Sequence, residues 1–354
     1  MKLGLNTDID NATYHAQLSP EEHFYSSSQL KTMLDDPETF YKKYITKELG
    51  SDWIPAFDIG TYYHTAILEP HLLEKECAVY MGKVRRGKEW EAFKGLHAGK
   101  AIITKSEYEQ AKNLIVATRN SQVAVDLLEG GVAEVSLFIE VYVKNGGVYI
   151  LTKNKSVYKL EAGGWCIHLN APTFLKDALK LRLKVRADMM NIERGFILDL
   201  KSTKGNAKSV QKIRYKTSDF VYELSAGMYV DLFNAYYIIE GEKPPFTTFW
   251  WVYASKDYSN CKSYWSGVGP DGEINDKTLR VGRAKWIKAA LDISRYHNLD
   301  WEIPDEPACL ETLPFEDEWL NVKKVEEAKP EKPGRRDTSK KVKQNDNKRA
   351  IDLL

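Results

Sequence analysis

Two aspartates and a lysine stand at a spacing that could act on a phosphate. In the strand-like run Phe196–Lys201, alternate side chains face opposite ways. Asp199 and Lys201 therefore share one polar face, while Leu198 and Leu200 turn toward a core. Asp188 lies eleven residues earlier, at the end of a run in which Lys180, Arg182, Lys184 and Arg186 share its parity. A hairpin through Asn191–Gly195 would bring Asp188 beside Asp199. Two carboxylates and an ammonium converging there suit a hard cation such as Mg2+, which takes carboxylate, water and substrate phosphate oxygens. The cation would polarise a phosphodiester and lower the pKa of a bound water. The lysine would position that nucleophile and neutralise developing charge. Taken alone, an Asp–Lys pair is more often a surface ion pair on an amphipathic strand, so its surroundings decide.

Those surroundings alternate helices with strands. Ser26–Ser28 supply N-cap hydroxyls for a helix that runs through Leu30, Met33 and Leu34 to Pro37. Residues 57–70 predict a second helix, entered through Gly60 and stopped by Pro70. A capping box at Ser106–Glu109 opens a helix that runs to Gly130-Gly131. Period-two alternation predicts strands over 133–143, 181–188, 196–201 and 247–254. Helices fit 219–240 and about 276–296. Mixed helices around a modest sheet make the fold α/β or α+β.

The chain has 354 residues, with 43% hydrophobic and 12% aromatic content, enough for a sizeable core. Its 51 Lys/Arg and 50 Asp/Glu exclude a uniformly basic nucleic-acid coat. No apolar run approaches a membrane span, and Met1–His15 lacks the apolar stretch of a secretory signal, so a cytoplasmic protein is expected. Cys77, Cys166, Cys261 and Cys309 are scattered, which argues against a zinc or iron–sulfur site. Charge is uneven. Lys329–Leu354 carries nine Lys/Arg against four Asp/Glu, a net of +5, leaving −4 on the rest of the chain. The folded body is placed at 15–320, with 321–354 a disordered basic tail tipped by Ala350–Leu354. That tail would raise DNA affinity or dock on a partner such as an annealing protein or replication factor. No G-x-x-x-x-G-K-[ST] loop is present, so ATP use is not expected.

Asp188, Asp199 and Lys201, as D-x10-D-x-K, resemble the core of the PD-(D/E)XK nucleases. The flanking chain resembles the RecE (exonuclease VIII)-type exonucleases of phages and prophages, kin to lambda exonuclease and the RecB nuclease domain. The likeness runs in order over roughly residues 23–255. It rests on Tyr25–Lys31 with Asp36–Phe40, on Gly60–His64 with Leu68-Glu69-Pro70, on Arg86–Trp90 with Gly99-Lys100 and Ile102–Thr104, and on Ala133–Ser136. It implies a restriction-endonuclease-like mixed sheet flanked by helices. It also implies Mg2+, with Mn2+ as a substitute, held by Asp188, Asp199, His64 and Glu134 together with Leu200. Lys201 would be the catalytic lysine, Tyr229 a site residue, and Ser28 a DNA contact.

Two departures stand out. Relatives carry Q-x-x-x-Y after D-x-K, whereas Ser225 here precedes the retained Tyr229. Residues 144–179 make a longer connection between Glu134 and Asp188 than the family pattern leads one to expect, and read as an insertion. Between Lys201 and Ser218 the basic residues Lys201, Lys204, Lys208, Lys212, Arg214 and Lys216 occur without an acid, which suits backbone phosphates. Arg85, Arg86 and Lys88 form a second, weaker patch. The resemblance implies an ATP-independent exonuclease that digests duplex DNA from its ends, 5′ to 3′. It would leave 3′ overhangs for a single-strand annealing protein and would work as a ring-shaped homo-oligomer. A different nuclease of the same fold, an endonuclease or a Cas4-like end trimmer, is one alternative. A catalytically lapsed binding module is the other.

Overall fold

The computed structural model describes residues 2–16, 22–50, 55–169 and 171–302. All belong to a unit spanning Met1–Ile303. The predicted tail at 321–354, the expected body limit at 320 and Cys309 lie outside the described residues.

The strands are β1 (Gly4–Asn6), β2 (Cys77–Tyr80), β3 (Ala101–Thr104), β4 (Val132–Lys144), β5 (Gly147–Leu151), β6 (Val157–Glu161), β7 (Gly164–Leu169), β8 (Leu179–Asn191), β9 (Phe196–Thr203), β10 (Thr248–Ser255), β11 (Cys261–Val268) and β12 (Ile274–Asn275). The α-helices are α1 (Asn11–His15), α2 (Ser27–Asp35), α3 (Pro37–Phe40), α4 (Pro55–Leu68), α5 (Leu73–Glu76), α6 (Lys88–Leu96), α7 (Lys105–Arg119), α8 (Gln122–Leu128), α9 (Val210–Asp219), α10 (Tyr222–Glu240) and α11 (Lys277–Asn298). Ten strands form one mixed sheet in the order β12-β11-β10-β9-β8-β4-β5-β6-β7, with β1 also on β4, while β2 and β3 pair separately. Among the described strand pairs of the large sheet, β9 and β10 run parallel and the others antiparallel. Parallel neighbours need a crossover, and α9 with α10 supplies it.

Helices flank the sheet through two buried clusters. One joins Val135, Leu137, Leu183, Val185 and Ile197 to α2, α10 and α11. The other joins Leu198, Leu200, Trp250 and Val252 to α4 and α7. The alternation expected in β9 is therefore present, with Ile197 on one face and Leu198 and Leu200 on the other. The α10–α11 crossing is close at the backbone. A Cβ on Gly227 would meet Arg283 N at 2.4 Å, and one on Gly282 would meet Glu223 O at 1.8 Å. Only glycine fits at either point.

Several boundaries differ from expectation. The sheet begins before residue 15, because β1 pairs with Ser136–Phe138 of β4. α4 starts at Pro55, the favoured first-turn position, and so carries Gly60 inside it. The cap of α7 is Thr104 rather than Ser106, with the Thr104 N–H donating to Glu107 Oε2 at 2.7 Å. Ser121 then caps α8 and splits the long helix expected up to Gly130. The expected helix over 219–240 begins only at Tyr222, because Val221 takes φ 49°. Residues 144–179 widen the sheet: β5, β6 and β7 continue it antiparallel, and a short turn at Pro172–Leu175 leads into β8. Among the described residues Cys77, Cys166 and Cys261 are free thiols, and no helix is long and apolar enough to cross a membrane.

Candidate active site

Three acidic residues line up across three neighbouring strands. The β4–β8 register pairs Ala133 with Met189 and Val135 with Ala187, which puts Glu134 opposite Asp188. The β8–β9 ladder pairs Met189–Asn191 with Leu198–Phe196, and continuing it by one residue puts Asp188 opposite Asp199. Both ladders are disturbed at this point. Glu134 has φ 51°, a left-handed backbone that a glutamate adopts only at a cost. Along β8, Ala187 and Met190 both pack in the α10-side cluster while Met189 packs in the other, so the face switches around Asp188. Beyond Met189 no strand pair continues to β9, and the Leu200 N–H donates to Asp188 Oδ2 at 2.6 Å instead.

His64 comes from α4. Its Nε2 lies 3.1 Å from the Leu200 carbonyl, and its Nδ1 lies 3.5 Å from Asp188 Oδ2. A ring N–H donated from Nε2 to that carbonyl leaves the Nδ1 lone pair facing the carboxylates. His64, Glu134 and Asp188 each offer a ligand atom, and the three atoms lie within 4.8 Å of one another. Asp199 stands beside this trio with its Oδ2 2.5 Å from Lys201 Nζ. That contact is one of charge. Asp199 Oδ2 is buried and has the Lys201 ammonium as its close charged neighbour.

Crowded carboxylates leave their mark on the electrostatics. Burial, then the Asp188 charge, pushes Glu134 up to about 8, with Arg186 (Nε 3.9 Å away) opposing. Burial also raises Asp199; Lys201 works against that rise and Asp188 adds to it. Burial alone would lower the Lys201 pKa, but Asp199 and then Asp188 outweigh it, so Lys201 is held firmly charged. The Tyr229 hydroxyl is kept protonated well above its usual range by burial and then by nearby Tyr14, Asp199 and Asp188.

These residues fit a divalent cation. The donors are one imidazole, up to three carboxylates and the Leu200 carbonyl, an oxygen-rich set suited to Mg2+ or Mn2+. The raised Glu134, pushed up by burial and by Asp188, is what a carboxylate cluster shows when positive charge is still to be supplied.

The structure thus gathers Asp188, Asp199, Lys201, His64, Glu134, Leu200 and Tyr229. The expected DNA contacts divide. Lys204, Lys208, Lys212, Arg214 and Arg86 are exposed, as is Ser28, whose hydroxyl lies 2.9 Å from that of Ser26. Lys216 is half-buried and donates to the Ser202 carbonyl at 2.6 Å. Arg85 is turned inward, donating to Glu107 Oε1 and to the Ile102 carbonyl, each at 2.6 Å, with Asp58 at 3.4 Å. It fastens β3 to α4 and α7 instead of facing a phosphate.

Sequence reasoning missed three neighbours. Arg186 reaches Ser136, the Ile9 carbonyl and Asn11, and with Lys184 it ties the N-terminal segment across β8. Its parity with Asp188 was the available signal. Tyr222 lies under Lys201, with Nζ 4.8 Å from the ring centroid, and Lys31 stands 5.1 Å from the same ring. Lys31 falls one helical turn beyond Ser27, a spacing that a helical reading of Tyr25–Lys31 could have used.

No protein-family model matches the chain, and no curated protein matches it. Among solved structures it is similar to the crystal structure of SSO0001, with 12% identity over 69% of this chain and 91% of that chain. The TM-score is 0.25, at which the likeness carries no argument.

Proposed function

We propose that the chain is a Mg2+-dependent, ATP-independent DNA exonuclease with a PD-(D/E)XK core, working from duplex ends, 5′ to 3′, and leaving 3′ overhangs for annealing recombination. The observation that carries this reading is the convergence of His64, Glu134 and Asp188 beside the Asp199–Lys201 pair.

In this reading Asp188, Asp199, Glu134, His64 and the Leu200 carbonyl hold the ion. Mg2+ supplies Lewis acidity at the scissile phosphate. Lys201, held charged by its two aspartates, orients the attacking water and stabilises negative charge as it develops on the phosphate oxygens. Asp199 fixes the lysine through the 2.5 Å contact, so the ammonium is already in place before substrate arrives. The exposed Lys204, Lys208, Lys212 and Arg214 follow directly after the catalytic strand and offer sequence-independent phosphate contacts.

The test is a gel with end-labelled linear and closed circular duplexes, in Mg2+ or in EDTA, with Asp199→Ala as control. Mg2+-dependent loss of linear DNA alone, absent in the variant, is the expected result. Cutting of circles would move the reading to an endonuclease. No cleavage in Mg2+ or Mn2+ would overturn it.

A further inference from the structure

We propose that Phe220, stacked on Tyr222 beside Lys201, is a platform for an unpaired nucleobase at the end of the strand being cut. This rests on the nuclease reading above and specifies its substrate: a locally single-stranded end.

The two rings lie 5.5 Å apart and 14° from parallel. Residues two apart in a helix point to different sides and cannot stack. Here the chain leaves α9 at Asp219 and re-enters α10 at Tyr222 through Val221, at φ 49° and ψ 44°. A β-branched residue in the left-handed region is a genuine outlier, and such strain gathers where it serves a site. What it achieves here is to lay Phe220 over Tyr222. Phe220 remains 55% exposed, so a large apolar face is open to solvent one ring away from Tyr222, over which Lys201 stands.

Cations surround the pair. Lys201 and Lys31 stand over the Tyr222 ring, and Lys216 Nζ is 5.8 Å from the centre of Phe220. Burial, followed by neighbouring lysines, holds both Lys31 and Lys216 down to about 8, with Asp199 and Glu223 opposing the shift at Lys31. An open aromatic face ringed by ammonium groups is the arrangement that binds single-stranded nucleic acid, with the ring taking a base and the lysines taking phosphates. A base inside a duplex has both faces covered by its neighbours. At a duplex end the terminal pair opens only its outer face, whereas a frayed or unpaired nucleotide can turn a whole base onto Phe220.

The test uses the full chain in EDTA. Fluorescence anisotropy follows binding of a labelled duplex whose last two 5′ nucleotides are unpaired, and of the same duplex with those two nucleotides abasic. The wild type is expected to prefer the intact end by about tenfold, the scale of one base–aromatic stack. Phe220→Leu should erase that preference, and Phe220→Trp should keep it. The proposal is overturned if the wild type binds both ends equally, or if Phe220→Leu retains the preference. It is also overturned if Phe220→Leu weakens both ends alike, because the ring would then act on the protein and not on a base. Adding Mg2+ separates the two readings. Cleavage without a base preference sinks the platform alone, and a Phe220-dependent preference without cleavage sinks the nuclease reading alone.

Discussion

Acid should loosen this protein at one particular histidine. His23 is 3% exposed, edge-on to Tyr25, and its Nε2 lies 2.8 Å from the Gln29 amide nitrogen. The orientation of that amide is fixed, because Gln29 Oε1 already accepts the Ser26 N–H at 2.7 Å. The amide therefore donates and His23 Nε2 accepts, so a proton on Nε2 would set two donors against each other. Burial drives the His23 pKa from 6.5 down to about 4. The folded state thus keeps the ring neutral while the unfolded chain takes up a proton near 6.5. Below that pH the unfolded state binds more protons, and stability falls between about 6.5 and 4. The full effect is about 3 kcal/mol, of which about 2 kcal/mol is spent by pH 5. Urea unfolding at pH 7.5 and pH 5.0, for the wild type and for His23→Gln, reads it directly. Glutamine can still offer Gln29 an acceptor but cannot titrate, so its loss between the two pH values should be smaller by about 2 kcal/mol. Equal losses in the two proteins would refute the assignment.

Three further outcomes are expected. Lys201→Ala should bind Mg2+ as before but turn over about 100-fold more slowly in single-turnover cleavage, the scale for losing one preorganised charge. Alanine at both Lys208 and Arg214 should weaken duplex binding evenly across sequences and lower the slope of log affinity against log salt by about 2. Arg85→Ala should cost about 1–2 kcal/mol in urea unfolding, since it leaves the Ile102 carbonyl and one oxygen of the half-buried Glu107 without their donor, and should leave that salt slope unchanged.

What was legible in the sequence is what depends on one chain direction at a time. Period-two alternation placed Asp199 and Lys201 on one face of β9 and the leucines on the other, because that rule needs no partner strand. The hairpin at Asn191–Gly195 set a short, countable register, so Asp188 could be put beside Asp199. What could not be read needs long-range closure. The pairing of Gly4–Asn6 with β4 joins elements more than a hundred residues apart, and nothing local marks it. The inward turn of Arg85 depends on Asp58 and Glu107 arriving from two helices. Residues 144–179 looked inserted, yet their strands extend the same sheet, since an exposed edge at β4 is satisfied by any strand able to pair there.

Ser225, which stands where the resemblance leads one to expect glutamine, is held from another element. α10 cannot slide toward the carboxylates to make up for a shorter side chain, because Gly227 and Gly282 lock it against α11 at backbone contact. The reach must come from another element. Ser225 Oγ donates to Ser27 Oγ of α2 at 3.2 Å, and Ser27 also hydrogen-bonds the retained Tyr229. One hydroxyl on α2 thus joins Ser225 and Tyr229 of α10. The helix that brings it is the one whose start is held by Ser26 and Gln29 and which carries Lys31 a turn further on. Ser225 on α10 and the Tyr222 ring under Lys201 are thus both met by side chains of α2, Ser27 and Lys31.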